Sequence, residues 1–266
     1  MFRQRLLTAM VLIPLVLAAI YYANYWAFVA VVLLLTIGCA LEWLKLIPVR
    51  TMVMNLVFIL ALLTGCYLIQ FCFDYWLLAG LAVWFLILIF VCQFPRLQAV
   101  WGRPWVVALF CLVLLPLFAK SMVSIFLMDR GRELIVFLLL LVWSADTGAY
   151  LAGKQCGKNK LIPGVSPGKT IEGAAGGFAL SMLVTIIGCY YFLPRAVASW
   201  FIIAVVTTLI SLLGDLFISM LKRRSHIKDT GQILPGHGGI LDRLDSLIPA
   251  AVFFYGGVLF LPLGFR

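Results

Sequence analysis

Charge is what this chain has least of. Of its 266 residues, 11% are Asp, Glu, Lys or Arg, against about 25% in an ordinary soluble domain. Acids number ten and histidines two. Polar surface this sparse cannot cover a soluble globule, because 65% of the residues are hydrophobic and the mean hydropathy is +1.14. A soluble domain and a disordered chain are both excluded. Cysteine offers no framework either. Cys39, Cys66, Cys72, Cys92, Cys111, Cys156 and Cys189 form an odd, scattered set with no CxxC pair, which reads neither as a disulfide scaffold nor as a zinc site. The two histidines, His226 and His237, also lack zinc-ligand spacing.

Long apolar runs are what the chain does have. About 20 apolar residues span a bilayer as a helix, and nine such segments can be drawn, near 6–22, 26–41, 53–71, 75–92, 105–122, 134–150, 174–192, 200–220 and 247–264. The expected fold is an all-α polytopic membrane protein with about nine transmembrane helices. Arg3 and Arg5 precede the first run, but that run is long for a signal peptide and is read as a retained anchor. Tryptophans 26, 43, 76, 101, 105 and 200 fall near span ends, where an interfacial belt accounts for them.

The net charge of +10 would suggest nucleic acid in a soluble protein. In a membrane protein it reports orientation. With the N-terminus in the cytoplasm, 15 of the 20 Lys and Arg residues fall on the cytoplasmic side, as the positive-inside rule requires. No nucleic-acid partner is expected. The charges also gather along the chain, since six of the ten acids lie between residues 146 and 245. Residues 1–133 read as a transmembrane scaffold of about five helices. Residues 134–266 read as the region that carries the chemistry, about four helices with cytoplasmic loops at 152–172 and 221–246.

Asp146 and Asp215 sit inside the ends of apolar runs. A carboxylate there is costly, so it faces a polar partner or a wet cavity. Ser219 and Lys222 follow Asp215 at i+4 and i+7, on the same helix face. The following loop carries Gly231, Pro235, Gly236, Gly238 and Gly239, with Asp242 and Asp245 beyond it at i, i+3. Hard carboxylate oxygens beside several cations are what a phosphate–Mg²⁺ site needs. Charge neutralisation within the loop, or binding of anionic headgroups, would use the same residues. In the other loop, Gly164 to Thr170 has three residues between its glycines where a P-loop has four. It is read as a generic anion-binding loop, with Lys158, Lys160 and Lys169 as its cations. His237 can donate to a phosphate or shape a turn.

The run from Ser219 to Arg223, then Lys228-Asp229, Gly231 and "LPGHGGILDRLD" from Leu234 to Asp245, resembles the signature of the phosphatidate cytidylyltransferase (CDP-diacylglycerol synthase) family. The likeness extends to "SADTGAYLAGKQCGKNKLIPGVSPGKTIEG" and "LLGDLFIS". The N-terminal half matches only in hydropathy and in the Glu42-Trp43 pair. The resemblance implies Mg²⁺-dependent transfer of CMP from CTP to phosphatidic acid, giving CDP-diacylglycerol and pyrophosphate, by a homodimer in a bacterial inner membrane. It implies a metal on Asp215, Asp242 and Asp245. A second, monovalent cation such as K⁺ is compatible with so dense a site. Asp215, Lys222, Arg223, Lys228, Asp229, His237, Asp242, Arg243 and Asp245 would form the catalytic set. Asp146, Lys160, Ser166, Lys169, Glu172 and Ser219 would bind substrate. Two alternatives stand beside this reading. One is a cytidylyltransferase for another lipid phosphate. The other is a transporter using Asp146 and Asp215, which loop-concentrated charge and an odd span number disfavour.

Overall fold

A computed structural model describes residues 14–47, 51–231, 238–261 and 263–265. Residues 14–22 are helical. Eight numbered helices follow: α1 (Tyr25–Trp43), α2 (Met52–Leu68), α3 (Phe73–Cys92), α4 (Pro104–Phe126), α5 (Gly131–Cys156), α6 (Ile171–Phe192), α7 (Val197–Arg224) and α8 (Leu247–Phe260). Single helical turns lie at Leu44–Leu46, Gln98–Trp101 and Leu241–Leu244.

Helix starts follow local chemistry. Asn24 accepts from Ala27 N at 2.8 Å, Thr51 from Met54 N at 3.2 Å and Thr170 from Gly173 N at 3.1 Å. Each satisfies a donor that the first turn leaves unpaired. Pro104 opens α4, where its missing N–H costs nothing. The end of α7 is a Schellman motif. His226 adopts the left-handed region (φ 54°), with His226 N donating to Arg223 O and Ile227 N to Lys222 O. One of the two histidines thus stands where a glycine is usual.

Among the described residues, seven helical stretches are long and apolar enough to cross a membrane: Tyr25–Leu46, Phe73–Cys92, Pro104–Phe126, Gly131–Cys156, Ile171–Phe192, Val197–Arg224 and Leu241–Phe260, the last joining the Leu241–Leu244 turn to α8. The chain is an all-α polytopic membrane protein. The count of seven differs from nine for two reasons. Helix α2 is apolar but has 17 residues, and the segment expected at 6–22 begins outside the described residues. One element was unexpected. The loop at 152–172 contains an antiparallel pair, β1 (Lys160–Ile162) with β2 (Ser166–Thr170), pairing Lys160 with Thr170 and Ile162 with Ser166.

The chain forms two compact units. The first draws on Met1–Val83, Val100–Val136 and Leu221–Leu244. Its α1 and α2 pack on α4. The Trp43 indole donates to Val107 O at 3.0 Å, Trp76 to Val113 O at 3.2 Å, and Phe28 stacks on Phe126 with ring centroids 4.2 Å apart. The second draws on Trp84–Ala99, Phe137–Met220 and Asp245–Arg266. Phe137 stacks on Trp200 at 4.4 Å and meets Phe192 and Phe254. Helices α5 and α6 approach backbone to backbone. A Cβ on Gly148 would stand 2.5 Å from Gly176 O, and one on Gly177 2.5 Å from Ala145 O, a small-residue contact suited to lipid surroundings. The tryptophan belt holds only in part. Trp26 and Trp105 are exposed, but Trp43, Trp101 and Trp200 are buried. Their large rings fill the interior, and the Trp43 and Trp200 N–H groups find carbonyls there.

Candidate active site

In the second unit the site is built on α7 and the β1–β2 hairpin. Asp215 lies on α7, and its Oδ1 accepts from Ser219 Oγ at 3.3 Å, the i+4 contact anticipated from spacing. Lys169, on β2, brings Nζ to 2.5 Å from Asp215 Oδ2. That ammonium is shielded from solvent and, among the described residues, makes no hydrogen bond of proper direction. The pair is therefore a charge contact that leaves donors on Lys169 unsatisfied.

Glu172 fixes the hairpin's entry. Its carboxylate accepts from Lys158 N at 3.1 Å, Asn159 N at 3.2 Å and Asn159 Nδ2 at 2.8 Å. It thus ties α6 to the chain leaving α5. Ser166 is half-buried at the start of β2, Lys160 is exposed on β1, and Asp146 is exposed on α5. Asp245 is buried at 8% exposure, its Oδ1 accepting from Ser246 N at 2.8 Å. The helical turn carrying Asp242 ends at Leu244, so Asp245 precedes α8 rather than sharing one continuous helix with Asp242.

In the first unit the last residues of α7 meet loop residues 229–231 and 238–242. Asp242 Oδ1 accepts from Lys222 Nζ at 2.9 Å. Its Oδ2 accepts from Thr230 N at 2.9 Å and Gly239 N at 3.0 Å. The ion pair is well shielded, the two side chains being 14% and 8% exposed. Gly238 sits at φ +81°, where a side chain would be strained. Arg223, Lys228, Asp229 and Arg243 are exposed. His237 lies outside the described residues.

Sequence reasoning missed the acid that holds this loop. Glu42, at the end of α1 and 1% exposed, accepts from Thr230 Oγ1 at 2.8 Å, Ile240 N at 3.0 Å and Leu241 N at 2.8 Å. Lys45 Nζ donates to Thr230 O at 2.9 Å. Arg224 and Ser225 both donate to Leu46 O, fastening the end of α7 to the same stretch. A carboxylate at the end of an apolar run was the available signal, the one that marked Asp146 and Asp215.

Among the described residues no three His, Cys, Asp or Glu side chains are grouped as a metal cage. Each unit sets a carboxylate against an ammonium group, Asp215 with Lys169 in the second and Asp242 with Lys222 in the first, where two backbone amides also donate to Asp242. Paired charges of this kind suit polyanionic ligands, whose charge must be neutralised and held.

The Cytidylyltransferase family model matches residues 3–261. A phosphatidate cytidylyltransferase of Haemophilus influenzae is 32% identical, the match covering 96% of this chain and 97% of that one. Its counterpart in Pseudomonas aeruginosa is 36% identical, with 96% of each chain covered. One from Staphylococcus aureus is 47% identical over 45% of this chain and 46% of its own. With the family matched along nearly its whole length, the chain belongs to the cytidylyltransferases, a family of nucleotidyl-transferring enzymes.

Proposed function

We propose that this enzyme transfers CMP from CTP to phosphatidic acid, releasing pyrophosphate and forming CDP-diacylglycerol. The observation that carries the reading is the Lys169 ammonium, shut off from solvent beside Asp215 with unsatisfied donors. Buried donors are rarely left so, and a phosphate oxygen is the acceptor that would complete them. Family membership and the names of the long-matched relatives supply the substrates.

The chemistry asks little of a general base. The lipid's monoester phosphate is already anionic at neutral pH. One of its oxygens attacks the α-phosphorus of CTP, and the bond from that phosphorus to the bridging oxygen breaks. Pyrophosphate leaves with the electron pair. The difficulty is holding two polyanions together, so positioning and charge neutralisation dominate. Lys169 in the second unit, and Lys222, Arg223, Lys228 and Arg243 in the first, are each unit's cations for phosphate oxygens, with Asp242 holding Lys222 in place.

The donor chemistry fits Mg²⁺, a hard cation that takes one or two carboxylates together with substrate phosphates and water. Asp215 is the better ligand, at 30% exposure and with the Ser219 hydroxyl beside it. Asp242 accepts from Lys222 Nζ, Thr230 N and Gly239 N, and Asp245 is buried and accepts from Ser246 N, so they rank behind it. When bound, the metal would offset phosphate charge. The charge asymmetry of the loops supports an N-terminus in the cytoplasm, which puts both loops where CTP is found.

The test uses purified protein in detergent, phosphatidic acid, labelled CTP and Mg²⁺. The expected result is labelled lipid with equimolar pyrophosphate, both lost on adding EDTA. Folded protein that makes no lipid product from phosphatidic acid would overturn the substrate assignment.

A further inference from the structure

Glu42 is far in sequence from every residue assigned to the reaction, yet it grips the loop that carries Asp242. A buried carboxylate is costly unless donors compensate it. Among the described residues Glu42 has no ion-pair partner, and the donors to its carboxylate come from the loop. Two of its three donors, Ile240 N and Leu241 N, immediately precede Asp242. The third is the hydroxyl of Thr230.

Thr230 links the two acids. Its hydroxyl donates to Glu42, its N–H donates to Asp242, and its carbonyl accepts from Lys45. Gly239 N, one residue before the Glu42 contacts, donates to Asp242 as well. The two carboxylates therefore divide one set of loop donors between them. Glycine makes the approach possible. A Cβ on Gly231 would run into Glu42 Oε1, and one on Gly239 into Glu42 Oε2. One turn earlier on α1, Gly38 leaves room for the Ile240 side chain, whose Cδ1 would be 2.7 Å from a Cβ there.

We propose that Glu42 is a positioning residue for nucleotidyl transfer. From α1 it fixes the donors that hold Asp242, and through Asp242 it fixes the Lys222 ammonium. The proposal rests on the reaction proposed above and assigns α1 a part in it. Its role is accepting hydrogen bonds rather than filling space. Glutamine, with nearly the same shape, would turn an NH₂ toward a donor on the loop.

The experiment compares Glu42→Gln, Thr230→Val and Thr230→Ser with the unaltered full-length protein in detergent. It reads kcat and KM for CTP and phosphatidic acid, and amide exchange over 229–231 and 238–242. Glu42→Gln and Thr230→Val are expected to lower kcat by about 10–100-fold, the scale of small misplacements of catalytic groups, with both KM values within about 3-fold. Exchange should rise in those loop segments and stay unchanged in α5 and α6. Thr230→Ser, which keeps the hydroxyl, should stay within about 3-fold of the unaltered kcat. A folded Glu42→Gln protein with unaltered kcat overturns the proposal, as does a kcat loss without faster loop exchange. If Glu42→Gln does not fold, the threonine pair decides, and an unaltered kcat in Thr230→Val overturns it. Absence of CDP-diacylglycerol from the unaltered enzyme would count against the reaction. The exchange comparison would then judge the clamp alone.

Discussion

Lys169 Nζ and Asp215 Oδ2 stand 2.5 Å apart, joining the β1–β2 hairpin to α7. Neither group is deeply buried, the side chains being 22% and 30% exposed, yet the ammonium itself is cut off from solvent. A pair of this kind contributes little net stability, since desolvation offsets much of the attraction. In the proposed reaction the pair pre-sets two opposite charges for a phosphate and its counter-cation.

Asp215→Asn should therefore separate function from folding. The amide keeps the shape and can still accept from Ser219, so the protein should insert and remain monodisperse. Turnover at saturating Mg²⁺ is expected to fall by at least about 10²-fold, the scale of losing a main electrostatic group at a reacting centre. Steady-state assay of the purified variant checks this. Substantial activity would rule out the proposed metal-binding role of Asp215.

Lys169→Ala removes a cation but no metal ligand. Its expected signature is a higher KM for CTP or phosphatidic acid, by about 10-fold, corresponding to about 1.4 kcal/mol of lost binding. The change in kcat should stay within about 3-fold. Unchanged KM values for both substrates would detach the hairpin from phosphate binding.

Asp242→Asn differs because the Lys222–Asp242 pair is shielded and Asp242 also holds two amides. Breaking a buried pair from one side costs about 3–5 kcal/mol, since the remaining charge is left uncompensated. The variant should insert, melt earlier in detergent and lose turnover. Combining Lys222→Met with Asp242→Leu should recover part of the melting temperature and none of the activity. Recovery stays partial because Thr230 N and Gly239 N lose their acceptor. A single variant as stable as the unaltered protein would contradict the buried-pair reading.

The helices were legible because hydrophobic run length and capping residues are local signals. The expected segment 75–92 is α3 at Phe73–Cys92, and 174–192 is α6 at Ile171–Phe192. Asp215 with Ser219 was legible for the same reason, both lying on one helix. The hairpin was not. Its second strand contains Pro167 and Gly168, residues disfavoured in strands. Its connection to α6 depends on Glu172 reaching back to Lys158 and Asn159. The part played by Glu42 was hidden more deeply. Its burial cost could be read from its place at the end of an apolar run. Its partners, Thr230, Ile240 and Leu241, lie at the far end of the chain, and no periodicity encodes that meeting.

Two glycines that look alike in sequence should respond in opposite ways to alanine. Gly168 lies in the Ser-Pro-Gly-Lys-Thr stretch and Gly239 in the loop before Asp242, both in segments that resemble anion-binding loops. Around Gly168 an added Cβ meets no atom of the described residues within 4 Å beyond its chain neighbours, so Gly168→Ala should leave the melting temperature unchanged. At Gly239 the added Cβ collides with Glu42 Oε2 and lies 2.5 Å from Thr230 Oγ1. Both are buried groups held by other hydrogen bonds and unable to retreat. Overpacking of that kind costs about 1–3 kcal/mol, and it would push apart the loop amides that hold Asp242. Gly239→Ala is thus expected to melt earlier and turn over more slowly. The same assay on Gly168→Ala carries separate information. A raised KM with unaltered stability would mean that substrate backs against that glycine, whose surroundings in the protein alone are open.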